Sequence, residues 1–196
     1  MNNRLLVILL FPFFSFSFLS AQTPVELIPS GTIKVISTTG YPTGCSANTL
    51  FDNNVKTYFW PYQRSSAWAG LDLGKEHVIT RVAFASSDRP ERLMLGVFEG
   101  ANQPDFGDAI PILILKDKRF VSGNQSVTEV LLHEDVICSK GFRYVRFVGP
   151  NESRCKISEL KFYGYESKGD NSSLYRPSNL PVVVVHTEKA ADITSK

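Results

Sequence analysis

TLFDNNVKT, at residues 49–57, is the stretch on which the fold prediction rests, and three aromatic residues follow it directly. It places Asp52, Asn53, Asn54 and Thr57 within six positions, and polar groups this dense can be buried only if they find partners. An Asx-type turn is one solution, in which the Asp52 side chain accepts hydrogen bonds from its own backbone. A hard cation is the other, because Ca²⁺ takes roughly six to eight oxygen ligands. On the local pattern alone, the self-bonded turn is favoured.

ISELKFYG, at residues 157–164, supplies the second part of this prediction. One loop rarely carries enough negative charge for a divalent cation, so a carboxylate from a distant part of the chain would help. Glu159 is the candidate for that carboxylate. If it takes this role, the two stretches meet in the folded chain.

Residues 1–21 have the organisation of a secretory signal peptide. Arg4 precedes the apolar run LLVILLFPFF, and small residues stand before an expected cleavage point after Ala21. Pro12 interrupts the run, which falls short of the roughly 20 apolar residues of a membrane span. An uncleaved anchor is the alternative. We therefore expect a mature chain that begins near Gln22, has no membrane span, and is secreted or held at the cell surface.

The charges of the chain nearly balance, with 21 Lys and Arg residues against 19 Asp and Glu residues. No basic block with interleaved aromatic residues is present, so a nucleic-acid partner is not expected. The 14 Phe and 7 Tyr residues, punctuated by Gly and Pro, favour strands over helices.

Short apolar or alternating segments recur along the chain, separated by turn signals and without a convincing helical pattern. This arrangement is typical of an antiparallel sandwich or barrel. The predicted strands are residues 33–37, 68–73, 78–85, 93–99, 110–115, 126–132, 142–148 and 157–163. We assign residues 22–165 to one domain and the polar residues 166–178 to a linker. Residues 179–196 contain NLPVVVVHT, which we expect to begin a second, truncated domain.

Three cysteines are present, Cys45, Cys138 and Cys155, and an exported chain can hold one disulfide. Cys45 stands four residues before Thr49, and Cys155 stands four residues before Glu159. If these stretches meet, the two thiols are neighbours, so we pair Cys45 with Cys155. The spacing does not indicate metal binding by the cysteines.

Five segments resemble, in the same order, the blocks of the discoidin or coagulation-factor C-type domains. This fold also includes the galactose-binding-like carbohydrate-binding modules of the family 32 type. The segments are LFDNNVKTYF, WAGLDLG, ITRVAF, GFRYVRFVG and ISELKFYG. The resemblance spans about residues 33–165 and implies an all-β fold, a jelly-roll β-sandwich of about eight antiparallel strands.

Several members of this family hold a structural calcium ion, and with the resemblance a cation becomes the favoured reading of the Asp52 turn. The family's DGN motif is DNN here, and Asn53 tolerates the positive φ that glycine would adopt better than most residues do. The resemblance implies these calcium ligands: the side chain of Asp52, the hydroxyl and carbonyl of Thr57, the carboxylate of Glu159, and the backbone carbonyls of Thr49, Asn54 and Ser158.

Ligand sites in this family lie on variable loops at one end of the sandwich. A sugar site needs an aromatic face for the ring and planar hydrogen-bonding groups for the hydroxyls. The candidates are Trp60, Tyr62, Arg64, Arg89 and Arg154. A structural alternative exists for each: Trp60 can pack under the Asp52 turn, and the arginines can be solvated or paired with loop acids. Trp68 is expected in the core.

No sequence motif supports catalysis, since nucleophile-elbow, zinc-protease and phosphate-loop patterns are missing from the sequence. We therefore expect a noncatalytic, monomeric carbohydrate-binding or adhesion module that targets a larger extracellular protein to a glycan or glycoconjugate. The alternatives are a structural spacer, a protein- or lipid-binding discoidin domain for which Tyr41, Pro42 and Phe106 would be the membrane contacts, and an accessory domain of a missing enzyme.

Overall fold

A computed structural model describes residues 23–121, 125–132 and 141–168. The predicted signal peptide, the chain from residue 169 onward and Cys138 lie outside the described residues. Eight strands lie within the described part, all of them in antiparallel pairs. They are β1 (Val25–Glu26), β2 (Lys34–Ser37), β3 (Trp68–Ser86), β4 (Val97–Ala101), β5 (Ile110–Ile114), β6 (Thr128–Leu131), β7 (Phe142–Val148) and β8 (Ile157–Glu166).

The long strand β3 organises the sheet, because β2, β6, β7 and β8 all pair with it. The main path runs β1-β8-β3-β7-β4-β5. Short 3₁₀ turns at Ala47–Phe51, Pro90–Leu93 and Lys118–Val121 connect the strands. The architecture is the predicted all-β jelly-roll sandwich.

The core lies between the layers of the sandwich and is rich in phenylalanine. Phe98 lies 4.9 Å from Phe147 and 5.5 Å from Phe84, measured between ring centroids. Leu50 and Phe59 are fully buried and pack into the same core, so they anchor residues 49–60 to it. The polar turn that begins at Asp52 is therefore held between two buried anchors.

β3 corrects one sequence prediction, because residues 68–73 and 78–85 belong to one strand. The sequence predicted that the strand ends at Gly74. Gly74 has a φ of 74°, and its N–H donates to Asp72 Oδ1, so the backbone is irregular here, but the strand continues beyond it. The register with β7 shifts between Asp72 and His77. A second correction concerns residues 93–99, where a 3₁₀ turn precedes β4 and Leu95 adopts a φ of 70°.

The predicted Cys45–Cys155 disulfide is wrong, since both thiols are free in the structure. Cys155 is fully buried, and its Sγ lies 3.9 Å from the Phe147 carbonyl oxygen. Cys45 is half-buried on the loop before the 3₁₀ turn Ala47–Phe51, and its carbonyl accepts a hydrogen bond from the Trp60 N–H. Burial raises the pKa of the Cys155 thiol to about 12, so this residue serves as a small apolar core group.

Trp68 lies in a small cluster with Phe106 and Tyr144, apart from the main core. Arg143 and Arg146 pair across strands with Asp72 and Glu99 respectively. No helix in the described part of the chain has the length and apolar character that crossing a membrane requires.

Candidate metal and glycan sites

The Asp52 turn gathers oxygen atoms around the Thr57 hydroxyl. This hydroxyl oxygen lies 2.8 Å from Asp52 Oδ2, 2.7 Å from the Asn54 carbonyl oxygen and 3.5 Å from the Thr49 carbonyl oxygen. One hydroxyl proton cannot serve all three acceptors. The Asx turn is also present, because the Asn54 N–H donates to Asp52 Oδ1 at 2.8 Å. The polar groups of the turn therefore hydrogen-bond to one another only in part, because the turn has more acceptor oxygens than donor protons for them.

Glu159 on β8 is 1% exposed, and neither of its carboxylate oxygens has a hydrogen-bond partner in the described part of the chain. Its burial raises the pKa of the carboxyl to about 7, and the nearby Asp52 carboxylate adds to this rise. A buried carboxylate without partners is costly unless something neutralises it. This observation fits a cation between Glu159 and the Asp52 turn.

The remaining predicted ligands are compatible with this position. The Ser158 hydroxyl lies 3.1 and 2.9 Å from the carbonyl oxygens of Ala85 and Ser86 on β3, and the ligand predicted from this residue is its backbone carbonyl. Among the described residues, no group of three or more His, Cys, Asp and Glu side chains surrounds a common point. A donor set of two carboxylates, a hydroxyl and carbonyls suits Ca²⁺ better than a transition metal.

Lys161 is a contact of this turn that the sequence reading missed. Its Nζ donates to Asn53 Oδ1 at 2.6 Å and lies 3.2 Å from Glu26 Oε1. Asn53 has the positive φ that the DNN motif requires, 59°. The lysine therefore ties the strained residue of the turn to β8 and β1.

Replacing Lys161 with methionine is expected to lower the free energy of unfolding by about 1 kcal/mol, because a hydrogen bond from a charged, largely buried donor is lost. If the turn binds calcium, the same change should weaken that binding a few-fold, because the turn is held less firmly. Chemical denaturation and calcium titration measure the two effects. Lys56→Met, in the same turn but exposed, is the matched control. Equal behaviour of the two variants would contradict a role for Lys161.

The raised pKa of Glu159 predicts a pH dependence of stability without calcium. Between the ordinary pKa of 4.5 and about 7, the folded chain binds more protons than the unfolded chain, so the free energy of unfolding falls as pH rises. The loss is at most about 3–4 kcal/mol, since each pKa unit corresponds to about 1.4 kcal/mol. Denaturation in chelator at pH 5 and pH 8 measures it. A variant with glutamine at 159 should lack this component, and an unchanged profile in that variant would be contrary to expectation.

Four of the five predicted glycan residues come together on adjacent loops, and we call them the Trp60 patch: Trp60, Tyr62, Arg64 and Arg154. Trp60 is 37% exposed and Tyr62 is 64% exposed, so the alternative in which Trp60 is hidden under the turn is not what the structure shows. Arg154 Cζ lies 5.9 Å from the Trp60 ring centroid, and its Nη1 donates to the Tyr62 carbonyl at 2.9 Å.

Arg64 belongs to this patch, whereas Arg89, the fifth predicted residue, does not. Arg64 forms an exposed ion pair with Glu152 at 3.5 Å, and its carbonyl accepts the Arg154 N–H at 3.0 Å. Arg89 is exposed beside Asp88 at the start of the turn Pro90–Leu93. None of the described contacts joins Arg89 to the aromatic residues, so the structure places it at the margin.

Lys156 and Tyr58, which the sequence analysis did not include among the site residues, border the Trp60 patch. Lys156 Nζ lies 4.7 Å from the Tyr58 ring centroid and 5.4 Å from the Trp60 ring centroid. The same atom forms a 3.0 Å ion pair with Asp88. These contacts join loops that are distant in sequence, and no local motif signals them.

The comparisons with known proteins bear on what such a patch does. The chain is similar to the CBM62 module of Clostridium thermocellum Xyl5A, with 32% identity over 73% of this chain and 99% of that module, at a TM-score of 0.64. The chain belongs to the galactose-binding-like, discoidin-type family of carbohydrate-binding modules. No protein-family model and no curated protein matches the sequence.

Two more distant structures share the fold of this module. The CpGH89CBM32-6 module of Clostridium perfringens is 24% identical over 71% of this chain and 99% of its own length, with a TM-score of 0.53. The fucolectin from striped bass (Morone saxatilis) serum is 16% identical over 70% of this chain and 47% of its own, with a TM-score of 0.57.

Proposed function

We propose that the protein is an exported, noncatalytic carbohydrate-binding module that uses the Trp60 patch to hold a glycan and a structural calcium ion to fix the turn beside it. The observation that carries the proposal is the pair of exposed aromatic side chains, Trp60 and Tyr62, bordered by guanidinium groups. Exposed aromatic rings supply an apolar face for a sugar ring, and arginines supply directed donors for its hydroxyls.

Membership of the family supports the binding role, because the similar CBM62 and CBM32 proteins are carbohydrate-binding modules by name. The calcium role is supported by the unpartnered Glu159 carboxylate and by the excess of acceptors in the Asp52 turn. The predicted signal peptide supports export to the cell exterior, where glycans are accessible.

Calcium would act through chain geometry. The turn is continuous with Tyr58, Phe59 and Trp60, and the N–H of the fully buried Phe59 donates to the Ile157 carbonyl on β8 at 3.0 Å. A cation between Glu159 and the turn would brace the same two segments. It would stabilise the loop that presents Trp60 and take no part in a reaction.

The membrane-binding alternative loses one of its contacts in this structure. Phe106 is 7% exposed and packs against Trp68 and Tyr144, so it cannot insert into a lipid surface. Tyr41 is partly exposed, but its ring lies 6.1 Å from the Phe59 ring centroid. These positions favour a glycan over a lipid ligand.

Native affinity electrophoresis tests the proposal with the purified protein. Gels containing soluble galactose-bearing polysaccharides should retard the protein relative to gels without polysaccharide, while serum albumin should migrate equally in both. Retardation should weaken in Tyr62→Ala. Unchanged migration across a broad set of polysaccharides, in the presence of calcium, would reject the binding role.

A further inference from the structure

We infer that the Trp60 patch recognises a carboxylated sugar, a uronic acid, and that the Nε–Nη2 edge of Arg154 binds its carboxylate. This inference rests on the proposed function, because it names the ligand class of the same patch. Three independent features of Arg154 carry it: the way in which its side chain is held, the backbone that presents it, and the charge balance around it.

The Arg154 side chain is held by one end only. Nη1 donates to the carbonyls of Tyr62 at 2.9 Å and Pro61 at 3.4 Å. A guanidinium has five N–H donors, and no described residue accepts a hydrogen bond from Nε or Nη2. These two nitrogens form the edge that pairs with a carboxylate through two parallel hydrogen bonds. The protein thus orients the arginine and leaves this edge for a ligand.

The backbone that presents Arg154 is strained. Glu152, Arg154 and Cys155 have φ values of 60°, 56° and 48°, which non-glycine residues seldom adopt. Such strain is unfavourable and persists where the surrounding structure enforces it, often at functional sites. Here the buried Ser153 enforces it: its hydroxyl donates to the Pro150 carbonyl at 2.6 Å and accepts the Cys155 N–H at 3.1 Å. This turn aims Arg154 at the aromatic loop.

The charges around the Trp60 patch leave Arg154 without a counter-ion. Glu152 pairs with Arg64, and Asp88 pairs with Lys156. Both local carboxylates thus already have partners, and no described carboxylate lies within ion-pair distance of Arg154. A half-buried guanidinium beside an exposed tryptophan would gain most from an anionic group. A sugar ring stacked on Trp60 or Tyr62 would bring such a group within reach if it carried a carboxylate.

A matched set of sugars tests this inference with the full protein in calcium. Oligosaccharides of galacturonic, glucuronic and mannuronic acid are titrated beside their carboxyl-reduced, neutral forms. At least one acid should bind ten-fold or more tightly than its neutral form. Arg154→Gln should abolish that preference, and Arg154→Lys should keep only part of it, because lysine keeps the charge and loses the bidentate fork. Arg143→Gln, which removes an arginine at the start of β7 that pairs with Asp72 outside the Trp60 patch, should retain the preference.

The outcomes separate this inference from the proposed function. Neutral forms that bind as tightly as the acids, or a preference that survives in Arg154→Gln, would overturn the carboxylate inference and leave the glycan-binding role standing. Binding of neither form overturns the inference, and only if polysaccharide electrophoresis is also blank does the proposed function fail with it. Melting temperatures of the variants show whether each remains folded, and Arg154→Lys keeps the test open if the glutamine variant does not.

Discussion

Replacing Glu159 with glutamine is expected to abolish the calcium-dependent stabilisation of the protein. In the wild type, calcium at one hundred times its dissociation constant should add about 2.7 kcal/mol to the free energy of unfolding. For a domain of this size the corresponding rise in melting temperature is roughly 5–10 °C. The glutamine variant keeps the size of the side chain and removes the charge that would bind the ion. Calorimetric melting with calcium and with chelator measures the difference.

Without calcium, in chelator, we expect Glu159→Gln to have the opposite effect on the melting temperature. At pH 8 the wild-type carboxylate is buried without a hydrogen-bond partner in the described part of the chain, which is unfavourable. Glutamine carries no charge, so its melting temperature in chelator should equal or exceed that of the wild type. Glu166→Gln is the matched control, because this residue is on the same strand but is exposed and paired with Lys75. A calcium shift that persists in Glu159→Gln would show that Glu159 does not bind the ion.

Replacing Trp60 with alanine is expected to weaken glycan binding at least ten-fold, which is about 1.4 kcal/mol. The indole is the largest apolar face of the Trp60 patch, and it lies beside Tyr58 at 6.2 Å between ring centroids. Because the side chain is partly exposed, its loss should change the melting temperature little. Isothermal titration with the glycan bound by the wild type measures the loss.

Two controls sharpen this second prediction. Trp60→Phe keeps an aromatic face and should recover much of the affinity, whereas Leu131→Ala removes an exposed apolar side chain on β6, outside the Trp60 patch, and should have no effect. A Trp60→Ala variant that binds as tightly as the wild type would show that the sugar lies elsewhere on the module.

Apolar patterns predicted a strand well where most of its side chains are buried. Residues 142–148 were predicted as a strand, and β7 has these bounds. Phe142 and Tyr144 are buried on one face of β7, and Val145 and Phe147 are buried on the other. The two halves of β3 could not be joined from the sequence, because Gly74 signals a turn locally. Only the pairing of β3 with β7 and β8 shows that the chain continues in one direction.

The metal prediction depended on two stretches that lie about a hundred residues apart, and the structure brings them together. The unpartnered state of Glu159 could not be inferred from the sequence, because it depends on which side chains surround β8. The same holds for Lys161 and Lys156, whose partners Asn53 and Asp88 are far away in the chain. The disulfide prediction failed for a related reason, because sequence spacing does not show that Cys155 is buried in the core while Cys45 is half-buried on a loop.

A glycan array probed with the full protein in calcium tests whether the Trp60 patch binds a glycan. The wild-type protein should bind a restricted set of glycans, with the signal reduced in Trp60→Ala and retained in Leu131→Ala. An array on which the folded wild-type protein binds nothing, or binds equally after Trp60→Ala, would contradict the assignment of the Trp60 patch as a glycan-binding site.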